Sequence, residues 1–345
     1  MKSRFVKMVT VAVTLCLLLL PVLAQPKQQP PQKKNQKDDK QTPQKPGDEQ
    51  TVLGTTEVML PITVTDDKDR PILELQQEDF LIYEDGVLQH RIKRFEPQSE
   101  RPLDIAIMMD ISNSVRPKLK YEREAASNFV QTMLKKRRDK VMFGTFNDQI
   151  ELRQDLTDDS ELIYNAINSK ALVAAGDTKL RDAIYRLCQE KLDNTRSMSS
   201  TGRRSVIIVI SDGEDTASER TLNETIAMAQ DKGVPVFGIS TKAGGFFGVQ
   251  AGQVMNAEDK EMRRLTEQTG GGLFFPGTMV ELEKTFSYLR MILNNQYLII
   301  YEPERSPDGK YRKIEVKLDK THNKNFKDFI VRVKNGYRAV KNDSN

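Results

Sequence analysis

Leu103-Asp-Ile-Ala-Ile-Met-Met-Asp-Ile-Ser-Asn-Ser114 decides the fold of this chain. An almost unbroken apolar run that stops at an acid and two hydroxyls reads as a buried strand with chemistry at its carboxyl end. Asp110-x-Ser112-x-Ser114 offers three oxygen ligands from one tight loop, a set suited to a hard divalent cation such as Mg²⁺. Two later segments supply further oxygens. Thr178 lies in Ala175-Gly-Asp-Thr-Lys-Leu-Arg-Asp-Ala-Ile184, and Asp212 closes the apolar run Ser205-Val-Ile-Ile-Val-Ile-Ser-Asp212. Each has an ordinary explanation when taken singly: Ser112, Ser114 and Thr178 as helix caps, Asp212-Gly213 as a turn. Taken together, at the ends of parallel strands, they converge where open α/β sheets bind ligands.

From Pro102 onward strands alternate with helices. Strands are predicted at 103–109, 140–146, 150–154, 205–211, 234–240 and 273–275. Helices are predicted at 118–136, 158–168, 179–192, 219–231, 258–268 and 278–294. Tyr121, Ala125, Phe129 and Val130 keep a helical apolar stripe, and Gly233 and Gly270 stand where helices should stop. This pattern predicts a doubly wound, mainly parallel α/β sheet covered on both faces.

The flanks read differently. Val58, Leu60, Ile62 and Val64 alternate with period two, and Phe80–Tyr83, Asp85-Gly86 and Leu88–Phe95 read as a hairpin. Strands are predicted again at 296–302, 311–318 and 328–334. Neither flank alone has enough strands to stand independently. The expectation is therefore that 51–100 and 296–340 pack as one small β-sandwich-like domain into which residues 101–295 are inserted. Val58, Leu60, Ile62, Phe80, Ile82 and Ile92 would then face Leu298, Ile300, Ile314, Val316, Ile330 and Val331.

The chain has 345 residues, enough for a large domain and a smaller companion. Residues 1–24 have the anatomy of a secretory signal: Lys2, Arg4 and Lys7, an apolar core from Met8 to Leu20, and small residues at Val22-x-Ala24. Export to the periplasm, cell surface or medium is expected, with membrane attachment only if that leader stays uncleaved. Residues 25–50, rich in Gln, Pro and Lys, read as a disordered linker. The formal charge of +4 falls to +1 once the three cations of the leader are set aside. So balanced a charge gives no electrostatic case for nucleic acid. Cys188 is the one cysteine outside the leader, which excludes an internal disulfide, and its place on a helical apolar face suggests a buried, inert thiol.

The constellation Asp110, Ser112, Ser114, Thr178 and Asp212 resembles the metal-ion-dependent adhesion site of von Willebrand factor type A domains. Thr178-x-Leu180-x-Asp182-Ala183-Ile184 and Ile210-Ser-Asp-Gly-x-Asp215 add to the likeness. Asp79-Phe80, Tyr83-Glu-Asp-Gly86, Tyr301-Glu-Pro303 and Gly336-Tyr337 resemble exported bacterial proteins of the type A-related kind. The resemblance implies direct coordination by Ser112, Ser114 and Thr178, with Asp110 and Asp212 acting largely through water. The cation would be Mg²⁺, or Mn²⁺ or Ca²⁺, left electron-poor by its neutral ligands and thus seeking an Asp or Glu of a protein partner. Asp177 departs from the family, which often has glycine there, and adds an acid near the metal.

Catalysis fits poorly. A calcium EF-hand loop from Asp110 would need Gly and Glu where Val115 and Tyr121 stand. No G-x-S-x-G elbow, Walker loop or Rossmann fingerprint follows the first strand. His90 and His322 both lie in the β flanks, away from the acids. The sequence therefore predicts a binding module rather than an enzyme, with a metal-dependent hydrolase and a structural envelope component as the rivals. Lys242-Ala-Gly-Gly-Phe-Phe-Gly-Val249 suggests a loop whose Phe246 and Phe247 either help choose the partner or tuck back into the core.

Overall fold

The computed structural model describes residues 57–97, 101–134, 138–195, 197, 201–242, 257–321 and 328–339. The leader, the linker, Phe246 and Phe247 lie outside them. In chain order the strands begin with β1 (Val58–Thr65), β2 (Phe80–Glu84), β3 (Val87–Leu88), β4 (Ile92–Pro97) and β5 (Leu103–Asp110). Next come α1 (Leu119–Met133), β6 (Lys140–Phe146), β7 (Ile150–Thr157), α2 (Ser160–Ile167) and α3 (Leu180–Glu190). They are followed by β8 (Arg204–Ser211), α4 (Leu222–Asp231), β9 (Val236–Ser240), α5 (Ala257–Gln268), β10 (Leu273–Phe274) and α6 (Met279–Asn294). The last strands are β11 (Tyr297–Tyr301), β12 (Tyr311–Leu318), β13 (Ile330–Arg332) and β14 (Gly336–Arg338).

The central sheet has six strands in the order β10-β9-β8-β5-β6-β7, parallel throughout except for β7. β5 and β8 are buried along their whole length, which is why they read as continuous apolar runs. Successive β5 side chains enter opposite cores. Leu103, Ile105, Ile107 and Met109 pack with Phe129 of α1, Ile163 of α2 and Phe286 of α6. Ala106 and Met108 pack with Ile184 of α3, Ile226 of α4 and Leu265 of α5. Cys188 lies in this second core, where burial pushes its thiol up to about 12. From β5 the chain crosses through α1 to β6, whereas from β8 it crosses through α4 to β9 on the other side. The carboxyl ends of β5 and β8 thus flank a topological switch point.

The flanking strands interleave in two four-stranded sheets, β13-β1-β11-β4 and β14-β12-β2-β3. Val58, Leu60, Ile62 and Val64 meet Phe80 and Ile82 across this second interior, with Ile314, Val316 and Leu318 from the C-terminal flank. Two details differ from the sequence reading. Leu298 and Ile300 do not face this interior; Tyr297, Ile299 and Tyr301 do. The register explains it, because Leu60 pairs with Ile299 and Met59 with Ile300, and paired residues share a face. Ile330 is also exposed, and only Val331 packs inward. The predicted hairpin is short as well. Asp85 and Gly86 take the positive φ values expected of them, but β3 pairs with β2 over two residue pairs only. β4 then joins the other sheet against β11, where Ile92 and Phe95 close the sandwich.

Candidate functional site

Asp110 ends β5 fully buried, and its carboxylate organises the loop that follows. One oxygen accepts the Ser112 backbone N–H at 2.8 Å, and the other accepts the Ser211 hydroxyl at 2.7 Å. The first bond makes an Asx turn that throws Ser112 back toward the strand end. The hydroxyls of Ser112 and Ser114 then stand 3.0 Å apart, the first buried and the second exposed. Val115 is buried beneath the short 3₁₀ turn Asn113–Val115 and anchors it. At the end of β8, Ser211 Oγ also accepts the Gly213 N–H at 3.0 Å, and Asp212 accepts the Glu214 N–H at 3.3 Å. Burial pushes the Asp110 carboxyl up to about 6, the hydrogen bonds of Ser211 and Ser112 opposing the rise and the charge of Asp212 adding to it.

Thr178 arrives on a loop stitched to both strand ends. On the β5 side Ala175 N–H donates to Ile111 O at 2.8 Å, and Asn113 N–H donates to Gly176 O at 3.2 Å. On the β8 side Thr178 O accepts from Thr216 and Ala217, while Thr178 N–H donates to the Thr216 hydroxyl at 3.0 Å. Gly176 has φ +77°, a left-handed backbone that favours glycine whatever the space beside it. Two further acids lock the loops reciprocally. Asp215 accepts the Arg181 N–H at 2.7 Å and pairs with its guanidinium, while Asp182 accepts the Glu219 and Arg220 N–H groups at 3.0 and 2.8 Å. Asp182 and Asp215 therefore hold loops in place rather than entering the site.

The structure thus brings Asp110, Ser112, Ser114 and Asp212 to one strand-end cluster and seats the buried Thr178 on the loop between them. Asp177 is exposed on the rim with Asp148 and Glu214. Sequence reasoning missed three neighbours. Ser211 reads as the last strand residue, yet it bridges Asp110 and Gly213. Lys118 and Glu122 sit four apart on an amphipathic stretch and read as a solvated ion pair, yet both are buried. Lys118 Nζ donates to Thr241 O at the end of β9. Burial lowers its ammonium pKa, while Asp212, Glu122 and Glu214 oppose that.

Glu122 has no solvent exposure; the Thr241 hydroxyl beside it and the Lys118 ammonium favour its charged form, while Asp110 and Asp212 disfavour it. Burial pushes its carboxyl up to about 8, from an ordinary 4.5. The folded chain then holds a proton that the unfolded chain releases. Its contribution to stability is therefore full below about 4.5 and is lost as pH rises toward about 8. In metal-free protein, Glu122→Gln is expected to flatten this decline by up to about 1.4 kcal/mol per pH unit. Urea unfolding between those limits checks it; parallel pH profiles of variant and wild type would exclude a buried, protonated Glu122.

The donor set fits a hard cation. It is all oxygen, and burial makes a nearby positive charge favourable to both acids. Among the described residues no three His, Cys, Asp or Glu side chains gather as a metal site, and the other side-chain oxygens on offer are the Ser112, Ser114 and Thr178 hydroxyls.

The family model for the von Willebrand factor type A domain matches residues 104–287, more than half of the chain. No curated protein matches. Among solved structures, BatB from Bacteroides thetaiotaomicron is similar at 18% identity over 56% of this chain and all of its own, with a TM-score of 0.44. An aerotolerance-related membrane protein from Bacteroides fragilis gives 18% identity over 56% of this chain and 98% of its own, with a TM-score of 0.42. Proximal thread matrix protein 1 of the mussel byssus, solved with zinc in its adhesion-site motif, gives 13% identity over 61% of this chain and 49% of its own, with a TM-score of 0.44.

Proposed function

The chain belongs to the von Willebrand factor type A domain family, and on that premise we propose an exported, divalent-cation-dependent protein-binding module that captures an acidic side chain of its partner. Domains of this family generally mediate metal-dependent protein interaction and are usually not enzymes. The observation that carries the reading is the convergence of two buried acids and three hydroxyls at the switch point of the parallel sheet. Ser112, Ser114 and Thr178 would hold the cation, with Asp110 and Asp212 beside it and Asp182 and Asp215 keeping the loops in register. Mg²⁺ is the ion that best suits so compact an oxygen set, with Mn²⁺ or Ca²⁺ as substitutes. A bound cation supplies Lewis acidity toward a carboxylate. The neutral hydroxyls leave that acidity unquenched, where three direct carboxylates would have satisfied it. Export rests on the leader-like residues 1–24, and among the described residues no helix is long and apolar enough to cross a membrane.

Calorimetry tests the site directly. Wild-type protein is expected to bind one Mg²⁺ or Mn²⁺, Asp110→Ala to bind none, and Ser112→Ala to bind about tenfold or more weakly, as loss of one direct ligand implies. Unchanged binding in both variants would exclude the assignment. Capture of proteins from the source envelope should also require the metal. Turnover of phosphoester or peptide substrates would instead support a hydrolase, and unfolding in EDTA without any capture a purely structural metal.

A further inference from the structure

Beside the strand-end cluster, the turn before α1 and the first turns of α1 carry a row of cations. Arg116 from the turn and Lys120 and Arg123 from α1, with Leu119, Glu124 and Tyr164, line a groove of about 630 Å³ between α1 and α2. Arg116 ends the 3₁₀ turn that carries Ser114, and its guanidinium donates to Asn113 Oδ1 at 2.8 Å and Ala174 O at 2.9 Å. The groove therefore begins at the rim of the site and runs away from it along the helix. Arg123 donates to Ser169 O at 3.1 Å, which holds its head at the groove wall.

None of these three cations pairs with a carboxylate among the described residues, although Glu124 stands four residues after Lys120. Arg153, Arg181, Arg203 and Arg312 each hold an acid within 3.2 Å. Glu124 lines the same groove, so three cations stand against one acid there, a net positive charge beside a site proposed to take a carboxylate. Elsewhere about the site Asp148, Asp177 and Glu214 are exposed acids. A negatively charged chain leaving the site is repelled by those acids and attracted by the cations along α1.

We propose that the α1–α2 groove receives an acidic segment of the protein partner, contiguous with the carboxylate taken at the metal site. The partner is then recognised as an acidic stretch read in one direction, not as an isolated Asp or Glu. This rests on the metal-capture reading, and the two are separable by experiment.

The probes are short synthetic peptides with one Asp followed by either a Glu/Ser or a Gln/Ser stretch, measured by fluorescence anisotropy on the full mature chain with Mg²⁺. The Glu peptide is expected to bind about tenfold more tightly than the Gln peptide, and Lys120→Glu with Arg123→Gln to remove that preference. Metal affinity by calorimetry should stay unchanged in the double variant, because neither residue is in the metal site. Lys120→Glu alone touches only an exposed residue and should weaken the Glu peptide in the same direction, which guards against misfolding of the double variant. Equal affinity for the two peptides, no Glu-peptide binding at millimolar concentration, or a preference that survives in the double variant would overturn the groove assignment. Tight, metal-independent binding of an oligothymidylate would overturn it too, assigning the stripe to nucleic acid. Loss of Mg²⁺ binding by wild type would instead sink the metal reading on which the groove depends.

Discussion

Glu84→Ala is expected to destabilise the β sandwich by about 3–5 kcal/mol, the magnitude typical of removing one partner from a buried ion pair. Glu84 ends β2 with no solvent exposure and accepts four side-chain hydrogen bonds. Tyr301 Oη and Tyr337 Oη donate at 2.9 Å each, Arg312 at 3.0 Å and Arg305 at 3.3 Å. Those donors come from β11 in one sheet, from β12 and β14 in the other, and from the turn between β11 and β12. A single carboxylate thus pins both sheets and both flanks. Its removal leaves the Arg312 guanidinium, whose side chain is 3% exposed, without its buried counter-charge. It also strands two phenol donors, each costing about 1–3 kcal/mol when buried and unpaired. Glu84→Gln should fall between the variants, because the amide keeps one acceptor but not the charge. Replacing the pair together, Glu84→Met with Arg312→Leu, should recover the share owed to the unpaired guanidinium but not that of the two phenols. Urea denaturation with comparison of midpoint and slope measures it. A Glu84→Ala midpoint at the wild-type value would mean that water replaces the carboxylate at no net cost.

The uneven legibility of this chain has physical causes. β5 and β8 were readable because a strand covered on both faces must be apolar along its whole length. The candidate site stood out because three of its oxygens sit in one pentapeptide, Asp110 to Ser114. β11 was readable as a strand but not in its orientation. Tyr297-Leu-Ile-Ile-Tyr301 is apolar at every position, so alternation carries no sign, and only pairing with Leu60 fixes Ile299 inward. Lys118 and Glu122 were invisible because their spacing is that of an exposed helical ion pair, while burial is imposed by β9 arriving from more than a hundred residues away. Glu84 hid for a related reason: an acid before Asp85-Gly86 looks like turn chemistry until the tyrosines of the far flank close over it. Local oxygen geometry is written in the sequence; long-range burial of charge is not.

Deleting residues 51–97 is expected to abolish amide protection along Tyr297–Tyr301 and Tyr311–Leu318 while sparing the central sheet. β11 has β1 and β4 as its two neighbours, and both are removed. β12 loses β2 and keeps only β14, three residues long. The deletion also takes Leu60, Ile62, Val64, Phe80 and Ile82 out of the interior they share with Ile299, Tyr301, Ile314 and Val316. At about 1.5–3 kcal/mol for each large apolar side chain fully buried, this far exceeds what a hairpin in water supplies. The two cores of the α/β part draw no residue from the deleted segment. The principal losses there are at the junction, where Gln296 would forfeit its bond to Thr63 Oγ1 but keep Arg204. β13 loses β1, its one strand partner, and should lose protection too, while Lys334 Nζ to Gln230 O at 3.1 Å and Arg338 N–H to Asp231 at 3.2 Å should hold the rest of the last segment on α4. Hydrogen exchange by mass spectrometry, with Mg²⁺ calorimetry on the same sample, separates the outcomes. Loss at β11 and β12 with metal binding retained would establish the pooled flanks as one folding unit around an inserted binding domain. Wild-type protection of β12 in the deletion would refute that arrangement. Loss of protection in β5 and β8 as well would mean that the α/β part cannot hold its parallel sheet without the strands that precede it.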